Sequence, residues 1–168
     1  YKLKKPLIIY NNFSNSLNET IINYKNSITL NENSELNLIN YIDNSSKENF
    51  MVNTIENIKM KNDSILKNIL INNSKSNGYF YKYIKSDLKK NSNLENYLIS
   101  SGLKFNKLDI EINLNEEHAK SSVFSALNLV NDEHQEIKTR INHHAPNCSS
   151  FQKVKNVLNN ESKGIYQG

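Results

Sequence analysis

The chain has 168 residues, 37% hydrophobic and 23% charged, which is enough for a core of its own and predicts a single domain over 1–168. Lys and Arg number 21 against 17 Asp and Glu, and Arg140 is the one arginine, so the net charge of +4 argues against nucleic acid, whose phosphates and guanines favour arginine. The single cysteine, Cys148, excludes an internal disulfide, and the absence of an apolar run of membrane length or a secretory leader pattern predicts no membrane partner and a cytoplasmic location.

In chain order, Lys2, Lys4 and Lys5 form a short basic run that reads as a solvated edge. Short apolar segments of strand character follow at 7–10, 20–24, 28–30, 36–42, 54–60 and 69–71. Tyr79, Tyr81 and Tyr83 then alternate with Phe80, Lys82 and Ile84, the period of a strand with two distinct faces. After a segment at 97–99, the clearest alternation places Leu108, Ile110, Ile112 and Leu114 on one face, with Asp109 and Glu111 on the other. Strands are further expected at 123–130, around Ile137, Thr139 and Ile141, at 154–158 and at 164–167. Helix signals are scarce, and 45–48 is too short to count as one.

Polar clusters separate these segments at 31–34, 43–46, 61–64, 72–78, 115–118 and 131–134. With 4 Gly and 2 Pro in the chain, the turns must rely on Asn and Asp, which accept left-handed backbone geometry. Asparagine occurs 32 times; AT-rich coding accounts for such a bias, and Asn also stacks into ladders in repetitive β-structure. A repeat is visible as well. Ile28-Thr-Leu30-Asn-Glu-Asn33-Ser34-Glu-Leu36 aligns with Ile58-Lys-Met60-Lys-Asn-Asp63-Ser64-Ile-Leu66, and Ile110-Glu-Ile112 with Ala119 makes a looser third copy. Strand–turn units at this spacing predict an all-β solenoid, a right-handed parallel β-helix. The rival, a β-sandwich, calls for tight hairpins, and Asn77-Gly78 is the one candidate.

The densest chemical constellation is His143-His144-Ala145-Pro146-Asn147-Cys148. His143, His144 and Cys148 are sound metal-ligand types, but their spacing matches no standard zinc pattern, and adjacent strand residues point to opposite faces. The competing reading is a strand end whose Cys148 packs as a small hydrophobe. His118 and His134 each follow acidic residues and read as equivalent turn positions. No nucleophile elbow, P-loop, dinucleotide fingerprint or HExxH occurs, so no catalytic or cofactor-binding residue is assigned. Asp109 and Glu111 share a strand face, a weak match to the paired carboxylates of glycoside hydrolysis.

From Lys107 on, several strings carry a family resemblance: Leu108-Asp-Ile-Glu-Ile-Asn-Leu, Ala119, Ala126-Leu-Asn-Leu-Val, Ile141-Asn-His-His-Ala-Pro-Asn-Cys-Ser-Ser and Lys163-Gly-Ile-Tyr-Gln-Gly. Together they resemble the SufB/SufD family, the non-ATPase scaffolds of the SUF iron–sulfur cluster assembly system, and the wording is closer to SufD. Weaker likeness extends towards the start of the chain through Phe50-Met-Val-Asn-Thr-Ile-Glu-Asn-Ile-Lys. The resemblance implies a β-helical scaffold that pairs with SufB and, with the ATPase SufC, builds nascent Fe–S clusters without catalysis of its own. It also implies that the family's Cys-x-His-Gly motif and its SufC-docking segment lie beyond Gly168, so no functional residue carries over. The chain opens at Tyr1 and stops directly after a strand-like segment, and the expectation is an internal fragment of a longer protein. Two departures stand out: His118 occupies a place where the family has glycine before the alanine, and 106–109 reads Asn-Lys-Leu-Asp. The alternative class is a β-helix carbohydrate-active enzyme or surface adhesin.

Overall fold

The computed structural model describes residues 2–13, 16–44 and 46–168. Among them are ten strands and no helix: β1 (Leu7–Phe13), β2 (Ile21–Leu30), β3 (Glu35–Asn44), β4 (Met51–Met60), β5 (Ile65–Leu88), β6 (Asn93–Leu114), β7 (Lys120–Leu129), β8 (His134–His143), β9 (Ser149–Leu158) and β10 (Lys163–Gln167). Every pairing between them is parallel. One row runs β1-β3-β5-β6-β7-β9; the other runs β2-β4, then the second halves of β5 and β6, then β8-β10. The chain therefore winds as a parallel β-solenoid of about five turns, with partners spaced from 26 residues (Tyr79 to Phe105) to 31 (Leu7 to Leu38). The repeat legible in the sequence is this register, with Ile28 beside Ile58 and Leu36 beside Leu66.

Period-two alternation produces the core. In the second row, Leu30, Met60, Leu88 and Leu114 stack coil on coil, each no more than 4% exposed. Burying such side chains contributes about 1.5–3 kcal/mol apiece. In the first row the inward column Leu36, Leu66, Leu94 ends in Ser121 and Ser150.

The corners follow from Asn chemistry. Among the described residues, eight non-glycine residues have positive φ, between 54° and 62°: Glu19, Asn33, Asp63, Asn91, His118, Asn131, Asn147 and Asn160. Five are asparagine, the residue that bears this geometry most readily after glycine. The corner amides also bond across coils, Asn33 N–H to the Asn62 carbonyl at 3.0 Å and Asp63 N–H to the Lys90 carbonyl at 3.0 Å. The Asn91 side chain donates to Asp63 at 2.9 Å, continuing the ladder.

Three sequence expectations need correction. The polar cluster at 72–78 is extended strand within β5, and Asn77-Gly78 makes no hairpin. Within it the Asn77 N–H reaches the Ser46 carbonyl across coils at 3.4 Å, and the Gly78 N–H donates to Ser76 Oγ at 2.9 Å. Gly78 is needed there because an added Cβ would sit 2.5 Å from Phe50 Cζ. The separate segments at 20–24 and 28–30 are one strand, β2. Finally, His134 opens β8 and is not a counterpart of the turn residue His118. Of the cluster at 43–46, Ser45 lies outside the described residues. No helix among the described residues is long and apolar enough to cross a membrane.

Candidate functional site

Two places concentrate chemistry. The first is the corner column that ends in the His–Cys segment. In this column a small residue follows each of the left-handed residues Asn33, Asp63, Asn91, His118 and Asn147: Ser34, Ser64, Ser92, Ala119 and Cys148. Ser64 Oγ donates to the Lys61 carbonyl and Ser92 Oγ to the Lys89 carbonyl, both at 2.6 Å, tying the turn to itself. Cys148 takes the same place one coil beyond Ala119. Its half-buried thiol points down the stack, to the Glu116 carbonyl at 3.2 Å and towards the Leu114 carbonyl at 3.9 Å. A thiol in this position packs as a small hydrophobe with a weak donor.

His143 extends the column of Leu114, and its exposed ring meets Ser150 Oγ at 3.0 Å. The exposed His144 begins the corner, its N–H bonded to the Leu114 carbonyl at 2.9 Å. His143, His144 and Cys148 thus make their contacts separately. Among the described residues no three His, Cys, Asp or Glu side chains are grouped to hold a metal ion. His134 stacks edge-on against Phe105, ring centroids 5.3 Å apart, with Nε2 3.1 Å from Glu136.

The second place is inside the solenoid. Glu56 on β4 and Lys82 on β5 both point inward and form an ion pair at 2.8 Å. Their side chains are 1% and 11% exposed. The other Glu56 oxygen accepts from Asn68 Nδ2 at 3.3 Å, and Asn68 also contacts Asn40 at 3.3 Å and Asn96 at 3.1 Å. This polar seam spans three coils and replaces the apolar column that flanks it. A cavity of about 20 Å³ beside Lys82, lined among others by Asn40, Asn72 and Asn106, has room for about one water molecule. The seam was not assigned from sequence, although a signal existed. Lys82 falls in phase with Phe80 and Ile84, and Glu56 with Val52 and Ile58, which places both charges on inward faces.

Outside, tyrosines cover carboxylates across neighbouring coils: Tyr81 donates to Asp109 at 2.9 Å and Tyr83 to Glu111 at 3.0 Å. Glu111 also faces Lys85 at 3.8 Å and Arg140 at 3.8 Å. The Tyr83 hydrogen bond, then that of Asn113, holds the Glu111 carboxyl below its ordinary value. Desolvation, then the carboxylate hydrogen bond, pushes the Tyr81 and Tyr83 hydroxyls up. A glycosidase general acid needs a carboxyl pushed up, the opposite of Glu111.

No curated protein and no solved structure matches significantly. One family model does match, that of the SufBD core domain of SUF system FeS cluster assembly, over residues 12–168. Its span takes in the solenoid from the end of β1 through β10, including the polar seam and the His143–Cys148 corner. The chain belongs to the SufBD core domain family of the SUF system for FeS cluster assembly.

Proposed function

We propose that the chain is a SufD-type scaffold that assembles with SufB and SufC homologues in the cytoplasm and performs no catalysis of its own. The observation that carries this reading is the family match over 12–168, borne on a parallel solenoid whose buried valences are spent on coil stacking. The SufD assignment within that family rests on Ala145-Pro-Asn-Cys-Ser-Ser and Gly164-Ile-Tyr-Gln-Gly. The Fe–S cluster is cargo of the assembled complex, and this stretch contributes shape and contact surface to it. The test is co-expression of the natural gene product with SufB and SufC homologues, purified under reducing conditions. A stoichiometric complex is expected. A product that elutes alone while SufB and SufC associate with each other overturns the reading.

A further inference from the structure

The outward face of the first row is apolar where solvated sheet faces are normally polar. Along one column, Ile8, Ile39, Ile69, Tyr97 and Phe124 stand side by side on successive strands. Two residues further along each strand, Tyr10, Tyr41, Ile71, Ile99 and Ala126 form a second column. Ile8 is 59% exposed and Ile99 47%. The rings are ordered against each other, Tyr10 on Tyr41 at 5.5 Å and Tyr97 on Phe124 at 5.0 Å. The outward face of the second row has one shorter apolar column, Ile21, Met51, Tyr79 and Phe105, and beside it Lys85, Lys107, Glu111, Glu136 and Arg140 form ion pairs. Parallel sheet faces are ordinarily covered, and a contiguous apolar stripe of this size marks a contact surface.

Charge says what fits it. Both columns end on β9 in lysine, Lys153 after Phe124 and Lys155 after Ala126. Lys120 lies exposed on β7. None of the three forms an ion pair among the described residues. A groove of about 210 Å³ joins the two features, with Tyr97, Ile99, Phe124 and Ala126 on its apolar side and Lys153 and Lys155 at its end. The shape fits as well. The stripe is two side chains wide, roughly 7 Å, and six strands long, roughly 24 Å, which is the length of a helix of about 16 residues.

We infer that this stripe is a docking surface for an amphipathic helix of a partner protein, with its aliphatic face on the Ile and Tyr columns and carboxylates at one end against Lys120, Lys153 and Lys155. This occupant is independent of whether the partners are SufB and SufC. Helix-in-groove recognition works in this manner, with apolar anchors supplying affinity and charged ends the orientation.

The experiment titrates two fluorescein-labelled 16-residue peptides into the chain by fluorescence anisotropy. One is a Leu-faced helix with glutamates at one end; the other carries lysines in their place. The glutamate peptide is expected to bind at least tenfold more tightly and to weaken at high salt. Ile99→Asp, and separately Ile8→Asp in case the first fails to fold, should each cut binding at least tenfold. Lys153→Glu with Lys155→Glu should abolish the preference for the glutamate peptide, whereas Ile55→Asp on the other row should leave both affinities unchanged. No binding, equal affinity for the two peptides, or an equal loss with Ile55→Asp overturns the inference. Sedimentation that shows a dimer dissociated by Ile99→Asp also overturns it, because a second copy is then the occupant.

Discussion

Lys82 reaches Glu56 at 2.8 Å across the boundary between two coils, inside the solenoid and beneath neither chain's own strand partner: Glu56 faces Ile84 in register, and Lys82 faces Thr54. The pair is diagonal, so it ties β4 to β5 at a register that neither Ile nor Leu contacts specify as sharply. Removing one member leaves the other buried without a counter-charge, which costs about 3–5 kcal/mol. Lys82→Met is therefore expected to lower unfolding free energy by that much in urea titration, and Glu56→Gln with Lys82→Met to recover most of it. A single-substitution loss under about 1 kcal/mol would remove the pair from the core account.

His118 is the one left-handed residue of its corner column that is neither Asn nor Asp. Its φ of 62° lies in the left-handed region, its side chain is exposed, and four of the other corners in its column use Asn or Asp. Glycine carries no Cβ penalty there. His118→Gly should stabilise the chain by about 0.5–1 kcal/mol and His118→Val should destabilise it by at least as much. Thermal melts of the two variants check the sign.

Cys148 sits in a column of Ser and Ala, over the carbonyl of Glu116. Cys148→Ser keeps both size and donor, and its melting temperature is expected to stay close to that of the parent. Cys148→Leu overpacks the corner and should cost about 1–3 kcal/mol. A parent-like melt for Cys148→Leu would show that the corner has slack.

Gly78 makes the same kind of demand more severely. An alanine Cβ would lie 2.5 Å from Phe50 Cζ and 2.8 Å from Phe80 Cε2, in a cluster where Phe13, Phe50 and Phe80 already contact one another. Gly78→Ala should lose about 1–3 kcal/mol, read from urea midpoints, and Gly78→Ala with Phe50→Leu should recover part of it.

The outer tyrosine–carboxylate pairs set the pH response. Glu111 has its folded pKa below the ordinary 4.5, so its contribution is present above that value and is lost as pH falls through the folded pKa. Tyr81 and Tyr83 have folded pKa values above the ordinary 10.0, so their contribution is present below 10 and disappears as pH rises through the folded values. These three groups add no pH dependence between those limits. Tyr83→Phe should lower the plateau and flatten both limbs, since it removes the hydrogen bond that shifts Glu111 together with the titration of Tyr83 itself. An unchanged acid limb in Tyr83→Phe would mean the hydrogen bond is weak in solution.

Much of this fold was written in phase and spacing. The Ile28–Ile58 repeat is the coil register, and the Leu108–Leu114 alternation marks the four core residues, with Asn113 buried as well on the other face. The run at 72–78 misled because Asn, Ser and Gly favour turns locally, while here their backbone groups bond to the neighbouring coil. Lys82 was legible as an inward residue, but not as a partner of Glu56. Its pairing depends on a 26-residue separation that only the register reveals. Likewise, nothing local in His143-His144 distinguishes a ligand pair from one residue extending the Leu114 column and another opening a corner.

The uneven corners decide where the chain accepts length. Between β7 and β8, or β9 and β10, the path turns through left-handed residues at Asn131 and Asn160, so a graft there only enlarges a loop. Between the two halves of β5 and of β6 the same corner is crossed by continuous strands of 24 and 22 residues. The register shifts there between Asn73 and Ser76 and again between Ser76 and Tyr79, so β5 carries two residues more than β6 over this corner while Phe80, Lys82 and Ile84 still face inward. For engineering, the asparagine corners are the ports, and the register shifts in β5 show where strand length is already taken up.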